Sequence, residues 1–306
     1  MTLIIIKIIL FFYLKINYYL NIIMENLDKI KELGEKVSSK ECKMRNIADP
    51  LKISTININN YKRTIIMGDI HGCYDELINL LNKVNYDSNN DLLISVGDLI
   101  AKGPKSLEVL NFFINNKNTL CVMGNHEYAV VRWLFFAESN ESNKSIPIGL
   151  KPGSEHEKMA KMLNSEQIKY LYNLPHILQI STKFDIDEKK TKNNLIIVHA
   201  GINPLIDISQ NNSYDVMYVR NIHNSLATEY ISNGTNWTEL WKGEETIIFG
   251  HDAIRGIQIK NNSIGLDSAC VYGKQLSCII YPNKEIVSVP ALNMYVVPNE
   301  SALFKE

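Results

Sequence analysis

Apolar positions along the chain fall in short blocks, and five of those blocks stop abruptly at a glycine or histidine next to a polar residue able to bind metal. The first, Thr64-Ile65-Ile66-Met67, runs straight into GDIHG at 68–72. The others are DLLISVGD at 91–98, TLCVMGNHE at 119–127, LIIVHAG at 195–201 and TIIFGHD at 246–252. Uninterrupted apolar runs of this length predict buried strands. The gaps between them have helical period. After GDIHG, Leu77, Leu80, Leu81 and Val84 stand at i, i+3, i+4 and i+7, with Asp75 and Glu76 near the start, where the helix dipole favours negative charge. Ser106 is the expected N-cap of SLEVLNFFINN, and EYAVVRWLFFA supplies the next helix. Strand, turn and helix alternate through residue 138, which predicts an α/β layered fold around a largely buried sheet.

From 139 to 194 the pattern changes. A polar Asn- and Ser-rich loop leads to a capping box at Ser154-x-x-Glu157, a helix, and a second helix near SEQIKYLYNLP ended by Pro175. This stretch reads as a helical insertion forming a lid or wall beside the site. The charged KFDIDEKKTKNN reads as a surface loop. From about 256, the runs GIQI, SIGLDSACVYG, QLSCIIYP and EIVSVPAL, separated by turn residues, predict a β meander. The whole is a mixed α/β (α+β) domain.

Composition narrows the class. The 306 residues are 45% hydrophobic and 21% charged, enough for one substantial core. A net charge of -1, with scattered basic residues, gives no global pull toward nucleic acid or anionic membrane, and no stable DNA binding is expected. Cysteines at 42, 73, 121, 270 and 278 show neither CxxC spacing nor an even count. Free thiols in a reducing compartment follow, and a cytoplasmic location with them. Cys73 and Cys270 fall close to the motifs, where packing is the expected reason for both. Residues 1–23 are apolar and of spanning length, but Lys7, Lys15, Asn17 and Asn21 interrupt them and no small-residue cleavage site follows. Two readings stay open: a signal anchor that tethers the protein to a membrane, or an extension upstream of Met24. A polar leader is expected over 24–60.

The strand ends carry the chemistry. Glycines beside a strand terminus allow a sharp turn and close backbone approach, and Asp69 and His71 can then point to one side. Asp69, His71, Asp98, Asn125, His199 and His251 are six potential ligands on five strand ends. That is too many for one tetrahedral ion and suits two ions sharing a carboxylate, with Asp98 the bridge. Mixed imidazole, carboxylate and amide donors favour Mn, Fe, Zn or Co over Mg or Ca. Two such ions lower the pKa of a bridging water and clamp the oxygens of an in-line displacement, which makes phosphorus chemistry the natural use.

The set GDIHG, GDLIAKG, GNHE, VHAG and FGH resembles the calcineurin-like metallophosphoesterases of the phosphoprotein-phosphatase superfamily. Within it, GDIHGCYDELINLLNKV, GDLIAKGPKSLEVL and GLDSACVYGKQLSCI look like symmetrical diadenosine tetraphosphatases and the ApaH-like phosphatases, over roughly residues 61 to 285. The resemblance implies a sandwich of two mixed β-sheets flanked by helices, with the catalytic domain over 61–298. It implies Asp69, His71 and Asp98 on one metal, and Asp98, Asn125, His199 and His251 on the other. His126 would be the general acid, and Lys102 and Arg220 would hold substrate phosphate. The reaction implied is attack of metal-bound hydroxide on dinucleoside polyphosphates such as diadenosine tetraphosphate, with capped RNA and polyphosphate close behind. Protein Ser/Thr phosphatase activity and a catalytically idle metal-binding module are the alternatives.

The departures from the family pattern matter. Protein Ser/Thr phosphatases carry GDxVDRG, where the second aspartate orients the catalytic histidine; here Ala101 and Lys102 occupy the Asp-Arg pair. Lysine offers a point charge in place of a bidentate fork. Ala101 is shared with the diadenosine tetraphosphatases and leaves His126 without that aspartate. LDSAC stands for the usual LDTGC, placing Ala269 at a glycine position. His156, His176 and His223 are expected at the surface or in packing, and Trp237 and Trp241, spaced i, i+4, in the core rather than stacked on a base.

Overall fold

The computed structural model describes residues 40–138, 145–182, 193–260 and 262–298. Both readings of residues 1–23 concern positions outside these, as does most of the KFDIDEKKTKNN loop. Among the described residues, no helix is long and apolar enough to cross a membrane. The chain divides into two compact units, 1–47 and 48–306. The first has a helical stretch over 40–46.

The second unit holds the sheets. Along the chain come β1 (Ile53–Asn57), β2 (Arg63–Met67), α1 (Tyr74–Lys83), β3 (Asp91–Ser95), α2 (Ser106–Asn115), β4 (Thr119–Cys121) and α3 (Asn125–Glu138). Helices α4 (Glu155–Met162) and α5 (Ser165–Asn173) follow, then β5 (Ile177–Thr182), β6 (Asn193–Val198) and α6 (Ser213–Tyr218). The last third contains β7 (Asn221–His223), β8 (Leu226–Thr228), β9 (Thr235–Asn236), α7 (Trp237–Leu240), β10 (Thr246–Phe249), β11 (Gln258–Lys260), β12 (Ser263–Gly265), β13 (Gln275–Tyr281) and β14 (Glu285–Pro290).

Two mixed sheets form a sandwich. The first is ordered β14-β13-β2-β3-β4, with β2, β3 and β4 parallel and β13 antiparallel to β2. The second is ordered β1-β5-β6-β10-β12-β11, with β6 and β10 parallel. Their inner faces share one core, in which Ile66, Leu92, Ile94 and Val96 meet Leu195, Ile197 and Ile248. Each fully buried Leu or Ile there contributes roughly 1.5–3 kcal/mol. The five motif-bearing strands are thus split three and two between the sheets. Helix α1 buries the predicted stripe, Leu77, Leu80, Leu81 and Val84 being at most 6% exposed.

Several expectations are corrected. The 24–60 stretch contains β1, a short polar edge strand with no long apolar run; its parallel partner β5, Ile53 opposite Ile177, lies within the stretch read as helical insertion. The predicted meander is two hairpins in different sheets, β11-β12 in one and β13-β14 in the other, because the 266–274 segment crosses between them. Ser106 is the first residue of α2 and not its cap; its hydroxyl accepts from the Ala101 amide at 3.0 Å. At Ser154 the cap to Glu157 N forms, but the Glu157 carboxylate returns to Gly153 N, and the reciprocal box is at Asn164 and Gln167 of α5. Glu76 is buried in α1 and accepts from Leu292 N and the Tyr295 hydroxyl, so it serves tertiary packing in addition to the dipole.

Candidate metal centre

The two sheets deliver their parallel strand ends to one place. Three of the residues there, His71, Asp98 and His251, have positive φ of 47, 52 and 66°. For residues with a Cβ this backbone costs about 1 kcal/mol or more each, so the surroundings must impose it. They do. Ile70 N and His71 N both donate to Asp98 O, at 3.1 and 2.8 Å, which ties the two motif turns together. The buried carboxylate of Glu127 accepts from Asp98 N at 2.8 Å, Ile100 N at 3.1 Å and Gly124 N at 3.1 Å. At Gly124, a Cβ would lie 2.3 Å from Asp98 Oδ1. Only glycine lets the GNHE turn press against that carboxylate.

Asp98 sits at the middle of the cluster. Its Oδ2 lies 3.4 Å from His71 Nε2, 3.5 Å from His199 Nε2 and 4.0 Å from His126 Nε2. Its Oδ1 accepts from His126 N at 3.0 Å. Asn125 Oδ1 is 2.9 Å from His199 Nε2 and 3.0 Å from His251 Nδ1. Both oxygens of Asp69 accept from His251 N, at 3.1 and 3.0 Å. All six candidate ligands therefore converge. The Nδ1 atoms of His199 and His71 face the carbonyls of Val96 and Ile100, at 2.9 and 3.3 Å, which places the proton there and turns each Nε2 lone pair inward.

The electrostatics fit divalent metal. Burial pushes Asp98 up to about 7, against Lys102, which favours its charged form. Burial also raises Asp69 well above the usual carboxylate range, with Asp267 and Asp98 adding repulsion, and it raises Asp267 itself. Three buried carboxylates facing one another call for cations. Burial lowers His199 to about 4 and holds His71 and His251 well below the ordinary imidazole value, leaving neutral rings with lone pairs to give; burial lowers His126 as well, with the Lys102 charge adding to the shift. The His251 Nε2 is buried with no hydrogen-bond partner. The donor set is imidazole, carboxylate and amide, which suits transition metals.

A cavity of about 270 Å³ opens over the cluster, its wall including His126, Lys102, Arg220, Tyr272 and Lys274. Lys102 has φ 69°; its Nζ lies 3.0 Å from His71 Nε2 and 5.3 Å above the Tyr272 ring, and its amide donates to the Glu155 carboxylate. The Arg220 guanidinium donates to Glu229 O and His251 O, both at 3.1 Å, so it is seated against the loop that carries His251. Ala269 adopts φ 61° beside the cavity, the left-handed backbone a glycine there would take more easily.

Sequence reasoning missed three residues of this site. Glu127 was visible in GNHE, and its place in the first turn of a helix following a ligand was the signal. Asp267 is visible in GLDSAC, but a strand end read as part of a meander gave it no role. His156 had no signal: expected at the surface or in packing, it instead reaches from α4 to His126, its Nε2 being 2.8 Å from His126 Nδ1. The other two histidines match expectation. His176 is buried and accepts from Lys52 N at 2.9 Å, and His223 is exposed. Trp237 and Trp241 are core residues, each with its indole N–H donated to a carbonyl.

A two-sheet sandwich with this donor set at its converging strand ends defines a phosphohydrolase of the metallophosphoesterase class, whose members use divalent metal ions. The family described as calcineurin-like phosphoesterase matches residues 62–281, and the chain belongs to it. It is 28% identical over 246 residues to the asymmetrical bis(5'-nucleosyl)-tetraphosphatase PrpE of Anoxybacillus flavithermus, covering 76% of this chain and 95% of that one. It is 38% identical over 152 residues to the symmetrical bis(5'-nucleosyl)-tetraphosphatase of Buchnera aphidicola, covering 49% of this chain and 48% of that one. A crystal structure named "putative diadenosine tetraphosphatase" aligns with TM-score 0.67 and 32% identity, over 79% of this chain and 99% of the other.

Proposed function

We propose that the protein hydrolyses dinucleoside polyphosphates, diadenosine tetraphosphate first among them. Two divalent ions (Mn, Fe, Zn or Co) would be held by Asp69, His71 and Asp98 on one side and by Asp98, Asn125, His199 and His251 on the other. The observation that carries this reading is the cavity wall, where Lys102, Arg220 and Lys274 stand around the imidazole and carboxylate cluster. Three cations over a metal cluster suit a run of adjacent phosphates better than a single phosphate. Divalent ions bound there supply the Lewis acidity that activates water and neutralises phosphoryl oxygens.

The chain's own groups do the rest. Lys102 and Arg220 hold non-reacting phosphates and fix the reacting one for in-line attack. His126, on the cavity wall beside Asp98, protonates the leaving oxygen. Glu127 keeps the Asp98 turn rigid while this happens. Capped RNA and inorganic polyphosphate offer the same phosphate run and are the next substrates. Ala101 and Lys102 in place of an Asp-Arg pair argue against protein Ser/Thr phosphatase activity.

Product analysis tests the reading. The chain loaded with Mn or Co is incubated separately with diadenosine tetraphosphate, capped RNA, polyphosphate and a phosphopeptide. Turnover of the dinucleotide is expected; two ADP as product marks symmetrical cleavage, and ATP with AMP marks asymmetrical cleavage. Turnover of the phosphopeptide alone, or of no substrate with metal bound, overturns it.

A further inference from the structure

We propose that His156, carried into the site by α4, is the positioning residue of His126, doing with an imidazole what an aspartate does in related phosphatases. This rests on His126 being the general acid. The contact is direct, His156 Nε2 to His126 Nδ1 at 2.8 Å, with ring centroids 4.9 Å apart and planes inclined by 38°. A contact that short between ring nitrogens requires one N–H and one lone pair. It therefore couples the two tautomers. As the acid, His126 is the imidazolium, a form that the anionic phosphates of a bound substrate favour over the neutral ring of the free site: its Nε2–H faces the leaving oxygen, its Nδ1–H donates to the Nε2 lone pair of His156, and His156 keeps its own proton on Nδ1. When the Nε2 proton passes to the leaving oxygen, His126 is left neutral with its Nδ1–H still held. No proton leaves the pair by way of His156.

The other neighbours of His126 cannot do this. Ala101 is fully buried and offers only a methyl group. His71 meets the His126 ring edge-on, with centroids 4.8 Å apart and planes at 82°. Asp98 accepts the His126 backbone amide, which fixes the residue but not the ring. A carboxylate at the Ala101 position would join Asp98, Asp69 and Asp267 in one buried cluster. A neutral imidazole supplies the same acceptor without a fourth like charge. The neighbouring Glu155 accepts from the Lys102 amide, so two consecutive residues of α4 hold the acid and the phosphate-binding turn together.

The test uses the full chain with Mn, and aryl phosphates whose leaving groups run from an acidic dinitrophenol to phenol itself. A lost or misaligned acid penalises the poor leaving group, whereas general damage penalises all alike. His156→Ala is expected to lower kcat for phenyl phosphate by about 10²-fold and for the dinitrophenyl ester far less, with KM, metal content and Tm held. His156→Asn, whose amide oxygen can accept, should recover part of the loss. In the double variant with His126→Ala, the second change should add little. Equal losses across the series, lowered metal content, or wild-type rates overturn the assignment. If His126→Ala is itself indifferent to the leaving group, the general-acid reading fails first, and the two failures are distinguished.

Discussion

The cradle at the strand ends and the rim above it are built on different terms. In the cradle, Asp69, His71, Asp98, Asn125, His199 and His251 follow directly on five strands whose register is set by the sandwich core. On the rim, Lys102, His156, Arg220 and Tyr272 come from turns, the start of α4 and crossing segments, and are held by local hydrogen bonds such as that from Lys102 N to Glu155 and those from the Arg220 guanidinium to two carbonyls. On the function proposed above, the cradle would hold the metal ions and the rim would decide how the substrate and the acid are presented. Damage to the first should abolish activity, and damage to the second should change it selectively.

The largest effect expected is in the cradle. Asp98→Asn removes the shared carboxylate and should lower turnover by at least about 10³-fold while metal analysis of the purified protein shows loss of bound ions. A variant that keeps full metal content would mean that Asp98 is not the bridge. The comparison sharpens with two glutamates. Glu127→Ala strands three buried N–H donors and should cost about 3 kcal/mol or more in denaturant melts, whereas Glu155→Ala, on an exposed side chain, should cost less than about 1 kcal/mol. Equal costs would erase the distinction between cradle and rim.

Between these two costs lies a pH-dependent one, outside both cradle and rim at the start of β5. His176, where the α5 exit meets the edge of the sheet, is lowered to about 4 by burial, with Lys52 adding to the shift. The folded-state value lies below the unfolded value of about 6.5, so the unfolded chain binds the extra proton between them and stability falls as pH drops through that window. Wild type should lose about 2 kcal/mol relative to His176→Asn between pH 7 and pH 5. An unchanged difference would show that this ring titrates alike in both states.

The cradle was legible because its geometry is local: an apolar run, a glycine and a ligand within a few residues. The pairing of the runs into two sheets was not legible, since it depends on contacts between Ile66 or Ile94 and residues more than 80 positions away such as Ile197. The edge strand β1 and its neighbour β5 escaped for a related reason. Neither has the apolar density of a central strand, and β1 is defined only by its pairing with β5, which in turn pairs with β6. The loop from Asp267 read as part of a meander because turn residues do not reveal which sheet follows. His156 lies beyond any local rule: a histidine near a helix start has many uses, and only the packing of α4 against α3 brings it to His126.

The left-handed backbone at His71, Asp98 and His251 has a further consequence for engineering. In each case chemistry places a side chain where conformation would prefer glycine, and the surrounding sheets absorb the difference. The motifs are therefore not portable. Copied as five-residue cassettes onto a scaffold without the interlocked turns, the same letters would relax into ordinary conformations and point their donors apart. Any transplant of this centre must carry the sandwich with it, and the stability reserve of that sandwich limits how far the rim can be redesigned.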